Sequence, residues 1–355
     1  MSKPLTCFFL LAIFLFSGLH EAFGQMNRRA IRHNNKRLMT YRGMKSTFSK
    51  EKRYISVGVT MSALNYYGDL APTPARVSTD LSFTRPAIGL TVSQRFGPQY
   101  SLTANLMYGT LSGSDYSSAD PGDEENGRYR YYRNLSFRNR IKELSVVATF
   151  DLFPNQETYM SRARWTPYAF AGLAVFHHNP QAKAPAVGLD GQPLAEAGQW
   201  VNLRDLGTEG QYASLEPQDA NYGIKPYKLI QLAIPMGIGV RFKIHEVMDF
   251  SAEFAFRYLF TDYIDDVSRN YVDLGVLDSE LARALSYRSN EPTVPDVTRV
   301  PKIARNGQTY NLINGYGYEH PTNMRGRASN NDIFTVTTFR ISYIVGKTMH
   351  RAKYR

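Results

Sequence analysis

Apolar and polar residues alternate with a period of two in eight segments of the chain. In the first segment Ile55, Val57 and Val59 face one side of an extended chain, while Ser56 and Thr60 face the other. Successive side chains of a β-strand point to opposite faces, and a tilted strand of roughly 9–11 residues crosses a membrane. We therefore predict strands over residues 54–64, 85–96, 99–111, 140–153, 166–176, 227–242, 248–260 and 332–346.

The connections between these strands alternate between long and short. The long ones cover residues 65–84, 112–139, 177–226 and 261–331, and the short ones cover 97–98, 154–165 and 243–247. A soluble β-sandwich has no reason to separate its connections by length. An outer-membrane barrel does, because its periplasmic turns are short and its outer loops are long. The pattern predicts an all-β fold, an eight-stranded antiparallel transmembrane β-barrel over 54–346 with both termini in the periplasm.

The beginning of the chain has the features of a signal peptide. Lys3 precedes an apolar run over 5–19, and the small residues Ala22 and Gly24 occupy the −3 and −1 positions before Gln25. The alternative is a membrane-anchoring helix, but this run is shorter than the roughly 20 residues that a helix needs to span a bilayer. Cys7 lies near the start of the run, which argues against a lipoprotein. We predict that 1–24 is a signal peptide, so the mature chain has no cysteine for disulfides, thiol catalysis or metal binding.

Composition and charge refine this picture. The chain has 24 Tyr and 20 Phe but only 2 Trp, and aromatic residues favour strands and form the interfacial girdles of membrane barrels. The net charge of +11 is concentrated in residues 25–53 and 347–355, which leaves the body nearly neutral. This distribution excludes a nucleic-acid-binding domain with a basic face. It predicts a basic periplasmic N-terminal arm (25–53) and a basic C-terminal tail (347–355) around the barrel.

The basic arm has two interpretations. It is either a tether that docks onto an acidic partner or anionic lipid headgroups, or a solvated, disordered leader to the first strand. The candidate partner-binding residues are Arg28, Arg29, Arg32, Lys36 and Arg37.

Charged residues on the inward faces of the strands must be paired. The lumen of an eight-stranded barrel is only wide enough to be filled by side chains, and an unpaired buried charge is costly. We predict pairs between the acidic residues Glu143, Asp151 and Glu253 and the basic residues Arg95, Arg241, Arg257 and Arg340. The interior is then plugged, with no open pore.

Four motifs occur in a characteristic order: Asn-Tyr-Tyr-Gly-Asp-Leu at 65–70, Ile-Lys-Glu-Leu-Ser at 141–145, Thr-Pro-Tyr-Ala-Phe-Ala-Gly at 166–172 and Thr-Asp-Tyr-Ile-Asp-Asp-Val-Ser at 261–268. With them the chain resembles the PorG-like family of Bacteroidetes outer-membrane barrels over residues 54–345. The residues that carry the family signature are Asn65, Tyr67, Gly68, Asp69, Asp262, Tyr263, Asp265 and Asp266.

The resemblance implies a non-enzymatic component of the type IX secretion and gliding machinery, in which PorG connects the outer membrane to a periplasmic ring of PorK and PorN. The implied partners are outer-membrane lipid and periplasmic ring proteins, with no nucleic acid and no cofactor. Two features depart from the family pattern: the fourth long loop is longer, and the basic arm is not shared. They leave open whether the chain corresponds to PorG or to a paralogue with another partner.

A metal site is a weaker interpretation of this sequence. Five carboxylates follow the seventh predicted strand: Asp262, Asp265, Asp266, Asp273 and Asp278. Oxygen-rich clusters suit Ca²⁺, but these lack the spacing of an EF-hand loop. Asp265 and Asp266 could equally cap or precede a helix, and 277–287 is predicted to be a short amphipathic one. His177 and His178 point to opposite faces of a strand, so they cannot chelate one ion together.

Enzymatic activity has little support. Some outer-membrane barrels are enzymes, and Asp69, Asp262, Ser268 and His320 could meet at the outer rim, but no spacing singles them out as a triad. We predict a structural and interaction protein. The alternatives are a surface-exposed binding module, in which the loops 177–226 and 261–331 recognise a ligand or another barrel such as a nutrient transporter, and a barrel enzyme acting on lipid or peptide. The tract 291–331 is predicted to be an ordered loop or a partly disordered surface.

Overall fold

A computed structural model describes Phe48 and residues 52–70, 83–124, 126–294, 297–328 and 331–345. The predicted signal peptide with Cys7, nearly all of the basic arm and the tail 347–355 lie outside the described residues. So do the five candidate partner-binding residues, Arg28, Arg29, Arg32, Lys36 and Arg37.

The described residues form twelve β-strands. They are β1 (Ile55–Tyr67), β2 (Arg85–Arg95), β3 (Tyr100–Ser114), β4 (Ser136–Asp151), β5 (Trp165–His177), β6 (Pro180–Lys183), β7 (Trp200–Asn202), β8 (Ile230–His245), β9 (Met248–Leu259), β10 (Arg299–Ile303), β11 (Thr309–Ile313) and β12 (Ile333–Val345). Eight of them pair in the order β1-β2-β3-β4-β5-β8-β9-β12, and β12 pairs with β1. All of these pairs are antiparallel, so the sheet closes into a barrel.

The predicted eight-stranded barrel is confirmed. Short turns join β2–β3, β4–β5 and β8–β9 at one end of the barrel, which we call the turn end, and the long connections lie at the other, the loop end. Some predicted boundaries are wrong. β1 and β3 run three residues further towards the loop end than predicted, and β4 begins at Ser136 rather than at residue 140. β3 and β4 stay paired there, from Leu111–Asn139 to Ser114–Ser136, although Ser and Gly interrupt the apolar alternation.

β8 is displaced from its predicted range. It covers Ile230–His245 rather than 227–242, because the carbonyls of Tyr227 and Lys228 accept hydrogen bonds from the side chains of Arg204 and Gln231 instead of from a neighbouring strand. The N–H of His178 donates to the carbonyl of Leu229 at 2.9 Å. At its other end β8 continues into a tight turn with β9.

The barrel exterior is an apolar belt. The residues that face outward in mid-barrel are large, apolar and exposed: Val59, Met61, Ile88, Leu90, Leu106, Leu173, Ile238 and Ile341. Exposed aromatic residues lie near the turn end (Tyr100, Phe150, Trp165, Phe242, Tyr343) and near the loop end (Tyr108, Tyr258, Phe260). An outward apolar band between two aromatic girdles is the surface of a membrane-spanning barrel.

The long connections fold over the loop end into a structure that we call the cap. It contains helices α1 (Asp115–Ser118), α2 (Gly127–Arg133), α3 (Leu203–Leu206) and α4 (Glu280–Ser286), the strands β6 and β7, which extend the sheet beyond β4, and the hairpin β10–β11. Within the described part of the chain, no helix combines the length and apolar character needed to cross a membrane.

The helix predicted over 277–287 is confirmed, but it is shorter, since α4 covers only Glu280–Ser286. Its N-cap is Ser279, whose hydroxyl accepts a hydrogen bond of 3.1 Å from the N–H of Ala282. The hypothesis that Asp265 and Asp266 cap a helix is wrong, because both carboxylates are buried at the barrel mouth. The alternative of a partly disordered tract is also wrong for most of 291–331, because β10 and β11 pair there.

The cap has a hydrophobic core of its own. Its buried members are Tyr271, Val272, Leu274, Leu277, Ala282, Tyr287, Val294, Tyr310, Leu312, Ile313 and Tyr316. The ring of Tyr316 stacks on Tyr129 at 4.7 Å between centroids, and the Tyr316 hydroxyl donates to the Tyr129 carbonyl at 3.1 Å. These contacts join the connection after β9 to α2, so the cap is one packed unit rather than separate loops.

Candidate functional site

The turn end of the lumen is closed by buried charge pairs. Arg95 and Arg241 each lie 3.1 Å from the same carboxylate oxygen of Asp151. Nearby, Arg162 pairs with Asp249 at 2.6 Å and donates to the main-chain carbonyls of the β8–β9 turn. These bonds satisfy the charges that burial would otherwise leave unpaired.

A second layer of charge pairs lies in mid-barrel. Arg257 bonds to Glu143 at 3.0 Å, and Arg340 bonds to Glu253, which also accepts a 2.6 Å hydrogen bond from the Tyr168 hydroxyl. The structure therefore brings all seven predicted lumen residues into three groups. The cavity left beside Glu143 and Glu253 has a volume of about 30 Å³, which is room for about two water molecules.

An apolar layer separates these charges from the loop end. Buried residues from the barrel strands form it: Leu64, Leu111, Ile141, Phe176, Leu259, Phe334 and Val336. Ile264 and Val267, from the connection after β9, belong to the same cluster, so this connection dips into the barrel. Below the cap, then, the lumen contains an apolar seal above two layers of paired charges.

Four aspartates and one tyrosine lie at the barrel mouth. We call them the mouth cluster: Tyr66, Asp69, Asp262, Asp265 and Asp332. The Tyr66 hydroxyl is 2.6 Å from an oxygen of Asp265 and 3.1 Å from an oxygen of Asp332. The other oxygens of these two carboxyls accept hydrogen bonds of 2.9 Å each from the N–H groups of Val267 and Ile264. The cluster thereby holds the segment that dips into the barrel.

Burial dominates the ionisation of the mouth cluster. It raises the pKa of Asp265 and Asp332 well above the ordinary value, and the neighbouring carboxylates raise it further. Burial also raises the pKa of Asp262 to about 9, although a hydrogen bond from Ser268 opposes the shift. The pKa of Asp69 is raised by burial as well, against the nearby Arg133. In all four aspartates of the cluster, burial therefore favours the protonated carboxyl over the charged form.

A buried network around Arg325 fixes the next residues of the same connection. Arg325 lies 3.1 Å from Glu209 and 3.6 Å from the carboxylate of Asp266. Asp266 adopts a left-handed backbone with φ 69°, and its side chain accepts a 2.7 Å hydrogen bond from Tyr227. Glu209 also accepts from the N–H of Ser268 at 2.9 Å. The connection between β5 and β8 is thus tied to the connection between β9 and β12.

Arg133 links the remaining two connections. It bonds to Asp115 at 2.7 Å, donates to the carbonyl of Asp69 at 2.7 Å and donates to the carbonyl of Arg325 at 2.5 Å. Arg130 also pairs with Asp115, at 3.2 Å. All four long connections therefore meet in one buried polar network at the mouth of the barrel.

Residue 68 lies at the mouth, where only a glycine fits because there is no room for a side chain. A Cβ at this position would overlap the hydroxyl of Tyr66 and the carboxylate of Asp332. The absence of a side chain at residue 68 is what allows Tyr66 to reach both aspartates.

The other signature residues divide between the mouth and the barrel exterior. Asp69, Asp262, Asp265 and Asp266 converge on the buried network, although residues 69 and 262 are far apart in the chain. Tyr263 stacks on Tyr227 with ring centroids 4.7 Å apart. Asn65 and Tyr67 are half-buried on the outward face of β1. Two of the sequence motifs, at 65–70 and 261–268, are therefore neighbours in space.

The structure does not assemble the five carboxylates that suggested a calcium site. Asp265 and Asp266 are buried in different networks, Asp273 accepts from the N–H of Gly275 at 2.7 Å, and Asp278 is exposed. In the part of the chain that the structure describes, no group of three or more His, Cys, Asp or Glu side chains is placed to hold a metal ion.

The residues considered for catalysis are only partly brought together. Asp69, Asp262 and Ser268 lie near one another at the mouth. The imidazole of His320 is exposed and bonds to the hydroxyl of Thr322 at 2.7 Å. The four residues therefore form no triad.

The two adjacent histidines have separate environments. His177 is half-buried at the end of β5, whereas His178 is buried and stacks on Tyr227. Burial lowers the pKa of His178 to about 4, so this imidazole is neutral at physiological pH.

Sequence reasoning did not identify several residues that hold the mouth together: Tyr66, Arg133, Glu209, Arg325 and Asp332. One signal was present for Tyr66, because it follows the buried Leu64 by two residues and therefore lies on the inward face of β1. Arg133, Glu209 and Arg325 lie in connections without periodicity, where a buried charge cannot be told from an exposed one. Asp332 is the first residue of the predicted strand 332–346, where its burial was not evident.

One family model matches part of the chain. It is described as a domain of unknown function, DUF6089, and it matches residues 36–184, which include β1 to β6. No curated protein matches the chain.

Solved structures with some likeness include three surface or outer-membrane proteins. Ail, the attachment invasion locus protein of Yersinia pestis, in complex with the heparin analogue sucrose octasulfate, has 7% identity, covers 82% of this chain and 97% of its own, and has a TM-score of 0.31. Neisserial surface protein A has 7% identity and a TM-score of 0.30, and the match covers 82% of this chain and 96% of that protein. A major outer membrane protein from Thermus thermophilus has 10% identity and a TM-score of 0.32, and the match covers 82% of this chain and 99% of that protein. The strand pairing and the apolar belt define the protein as an eight-stranded membrane barrel with a plugged lumen and a folded cap.

Proposed function

We propose that the protein is a non-enzymatic outer-membrane barrel that serves as an anchor and interaction platform rather than as a channel. The observation that carries this proposal is the filled lumen. Two layers of charge pairs, the apolar seal and the cap follow one another along the barrel axis. A solute would have to separate all of them to pass.

The orientation proposed for the barrel follows from its connections. Outer-membrane barrels have short turns on the periplasmic side and long loops outside. The turn end, with the beginning of β1 and the end of β12, would then face the periplasm, and the cap would face outward. The basic arm and the basic tail would both reach into the periplasm.

The partner proposed for the arm is a component of the type IX secretion or gliding machinery. The support is the resemblance to PorG-like barrels, and two of the motifs that carry it are neighbours at the mouth. In this proposal the cations of the arm dock onto an acidic surface of a periplasmic ring protein. The residues that would make the contact are Arg28, Arg29, Arg32, Lys36 and Arg37.

The experiment that tests this proposal is purification from native membranes in mild detergent, followed by identification of the proteins that co-purify. Replacement of all five arm cations by serine should abolish recovery of a periplasmic ring protein. The matched control replaces five cations of the cap by serine: Arg128, Lys225, Lys228, Lys302 and Arg327. This control removes the same number of positive charges on the opposite side of the membrane, so the ring protein should still co-purify. Equal recovery with both variants contradicts the proposal.

A second candidate function is recognition by the cap. The observation in its favour is that the cap has its own hydrophobic core and presents exposed aromatic side chains, such as Tyr212 and Tyr222. A surface-exposed binding module, including an accessory barrel of a nutrient-uptake complex, would lose its ligand when 177–226 or 261–331 is trimmed. It would keep the ligand when the arm cations are replaced. The two functions therefore predict opposite results. The periplasmic partner is lost when the arm cations are replaced, whereas the ligand of the cap is lost when the loops are trimmed.

A further inference from the structure

A row of cations lies on the outward face of β4 at the loop end. Arg138, Arg140 and Lys142 alternate with Asn139 and Ile141, which are fully buried and face the lumen. The three basic residues therefore point away from the barrel, on the side that the membrane surrounds.

These cations lie directly above the apolar belt. The next outward residues of β4 towards the turn end are Leu144 and Val146, both exposed. Lys142 is opposite Tyr108 of β3, an exposed aromatic residue of the loop-end girdle. Because aromatic girdles mark the interface between acyl chains and headgroups, the cations are at the level of the headgroups.

The basic face continues onto β6 and β7. Gln181 of β6 is opposite Arg138, and Trp200 of β7 is opposite Lys183. The guanidinium of Arg138 lies 3.8 Å from the centre of the Trp200 ring and donates to the Gln181 side chain at 3.0 Å. The exposed ring of Trp200 thus holds the guanidinium of Arg138 in place on this face.

The charges of this face are not neutralised by the barrel. Among the described residues, Arg138, Arg140, Lys142 and Lys183 form no ion pair with an acidic side chain, and the carboxylate of Asp205 beside β7 is engaged by Asn202 and Arg204. On the neighbouring strand β3 the outward residues at the same height are Thr110 and Ser112. Four cations on one flank repel one another unless an external anion lies between them.

We propose that this face of β4, β6 and β7, which we call the basic flank, binds the phosphate groups of a phosphorylated membrane lipid in the leaflet next to the cap. The acyl chains of that lipid lie along Leu144, Val146 and the adjacent outward face of β5. Charge complementarity and the position above the apolar belt both favour a lipid headgroup as the occupant. The inference rests on the proposed membrane location, but it is independent of the periplasmic partner.

The two tryptophans of the chain provide a direct test. Trp165 lies at the turn end and Trp200 lies in the basic flank, so Trp165→Phe leaves one fluorescent reporter at the site. The full-length variant in neutral detergent micelles is titrated with a bisphosphorylated lipid A and, separately, with the same lipid after removal of both phosphates. We expect a saturable change in Trp200 emission with the phosphorylated lipid and a much weaker response with the other. Equal responses to the two lipids would overturn the proposal.

Two substitutions identify the residues responsible. In the same background, Arg140→Ser with Lys142→Ser should weaken binding of the phosphorylated lipid by about 10- to 30-fold, since each cation near a membrane surface contributes roughly a factor of five. The control Arg128→Ser with Lys225→Ser removes two exposed charges elsewhere on the cap and should leave affinity unchanged. All four side chains are outside the core, and heat-modifiable electrophoretic mobility verifies folding. Unchanged affinity in the folded Arg140 and Lys142 variant contradicts the assignment.

Competition experiments distinguish the lipid from other anions. Inorganic phosphate and a sulfated oligosaccharide are added at the same phosphate or sulfate concentration as the lipid. Neither should displace it, because the acyl chains on the apolar belt contribute to binding. Displacement by the oligosaccharide would show that the flank recognises a glycan and would overturn the lipid assignment. If the natural protein binds the phosphorylated lipid but no periplasmic ring protein co-purifies with it from native membranes, the result counts against the proposed function alone.

Discussion

The hydroxyl of Tyr66 lies 2.6 Å from a carboxylate oxygen of Asp265, 199 residues away in the chain. This contact joins the end of the first barrel strand to the last long connection. The same hydroxyl is 3.1 Å from Asp332, immediately before β12. One tyrosine therefore links the first strand, the segment that dips into the lumen and the start of the last strand.

Replacement of Tyr66 by phenylalanine should loosen the cap without unfolding the barrel. The two carboxyls lose their shared partner, and a lost hydrogen bond between buried polar groups costs about 1–3 kcal/mol. Hydrogen exchange of the Ile264 and Val267 amides should accelerate by about tenfold or more. The control is Tyr67→Phe, the same chemical change one residue later on the outward face of β1. Equal exchange rates in both variants would show that Tyr66 does not hold the connection.

The stability of the cap should fall as pH rises. The pKa of Asp262 is raised to about 9 and that of Asp266 to about 6, in each case chiefly by burial, whereas an exposed aspartate has a pKa of about 4. The closed cap thus binds more protons than the open one between these values. The stability that these two carboxyls contribute to the closed cap is fully present below about pH 4 and is lost progressively up to about pH 9.

This pH dependence can be followed by limited proteolysis of the connection after β9, measured from pH 5 to pH 9. Each rate is divided by the rate at which the same protease cleaves an unfolded peptide at that pH. Cleavage should accelerate with pH in the natural protein, and Asp262→Asn should flatten the upper part of the profile. Slower cleavage at high pH would contradict the assignment, because it would mean that the carboxyls are ionised in the closed cap.

The charge pair of Glu143 and Arg257 should behave as a buried pair. Glu143→Gln leaves the guanidinium in the lumen without its partner, which costs about 3–5 kcal/mol, so the temperature of the heat-modifiable mobility shift should fall. The double variant Glu143→Leu with Arg257→Met removes both charges at similar volume and should recover most of the loss. A double variant as unstable as Glu143→Gln would mean that packing rather than the unpaired charge causes the effect.

The sequence was sufficient to predict the barrel because its pattern is local. Alternation with a period of two defines each strand, and the lengths of the connections separate the two ends. The lumen residues Glu143, Asp151 and Glu253 could be grouped with arginines because few charges occur on inward faces. The strand ends were less predictable, since β3 and β4 continue through Ser112 and Gly113, where the apolar alternation stops.

The mouth and the cap could not be predicted in the same way. The bond from the N–H of Arg327 to Asp69, at 2.7 Å, joins residues 258 apart, and no local pattern contains such a contact. Asp265 and Asp266 matched a helix-capping pattern because an aspartate carboxylate accepts hydrogen bonds from main-chain N–H groups at a helix start and in a loop alike. Their partners, Tyr66 and Arg325, are supplied only by the closed barrel.

The central claim is that the barrel is closed to solutes, and conductance tests it most directly. The purified full-length protein is inserted into planar bilayers, and single-channel current is recorded under an applied potential at high salt. We expect no stable open channel, because the charge pairs of Asp151, Glu143 and Glu253 and the apolar seal above them fill the lumen. A large, reproducible single-channel conductance from the folded protein would contradict the account.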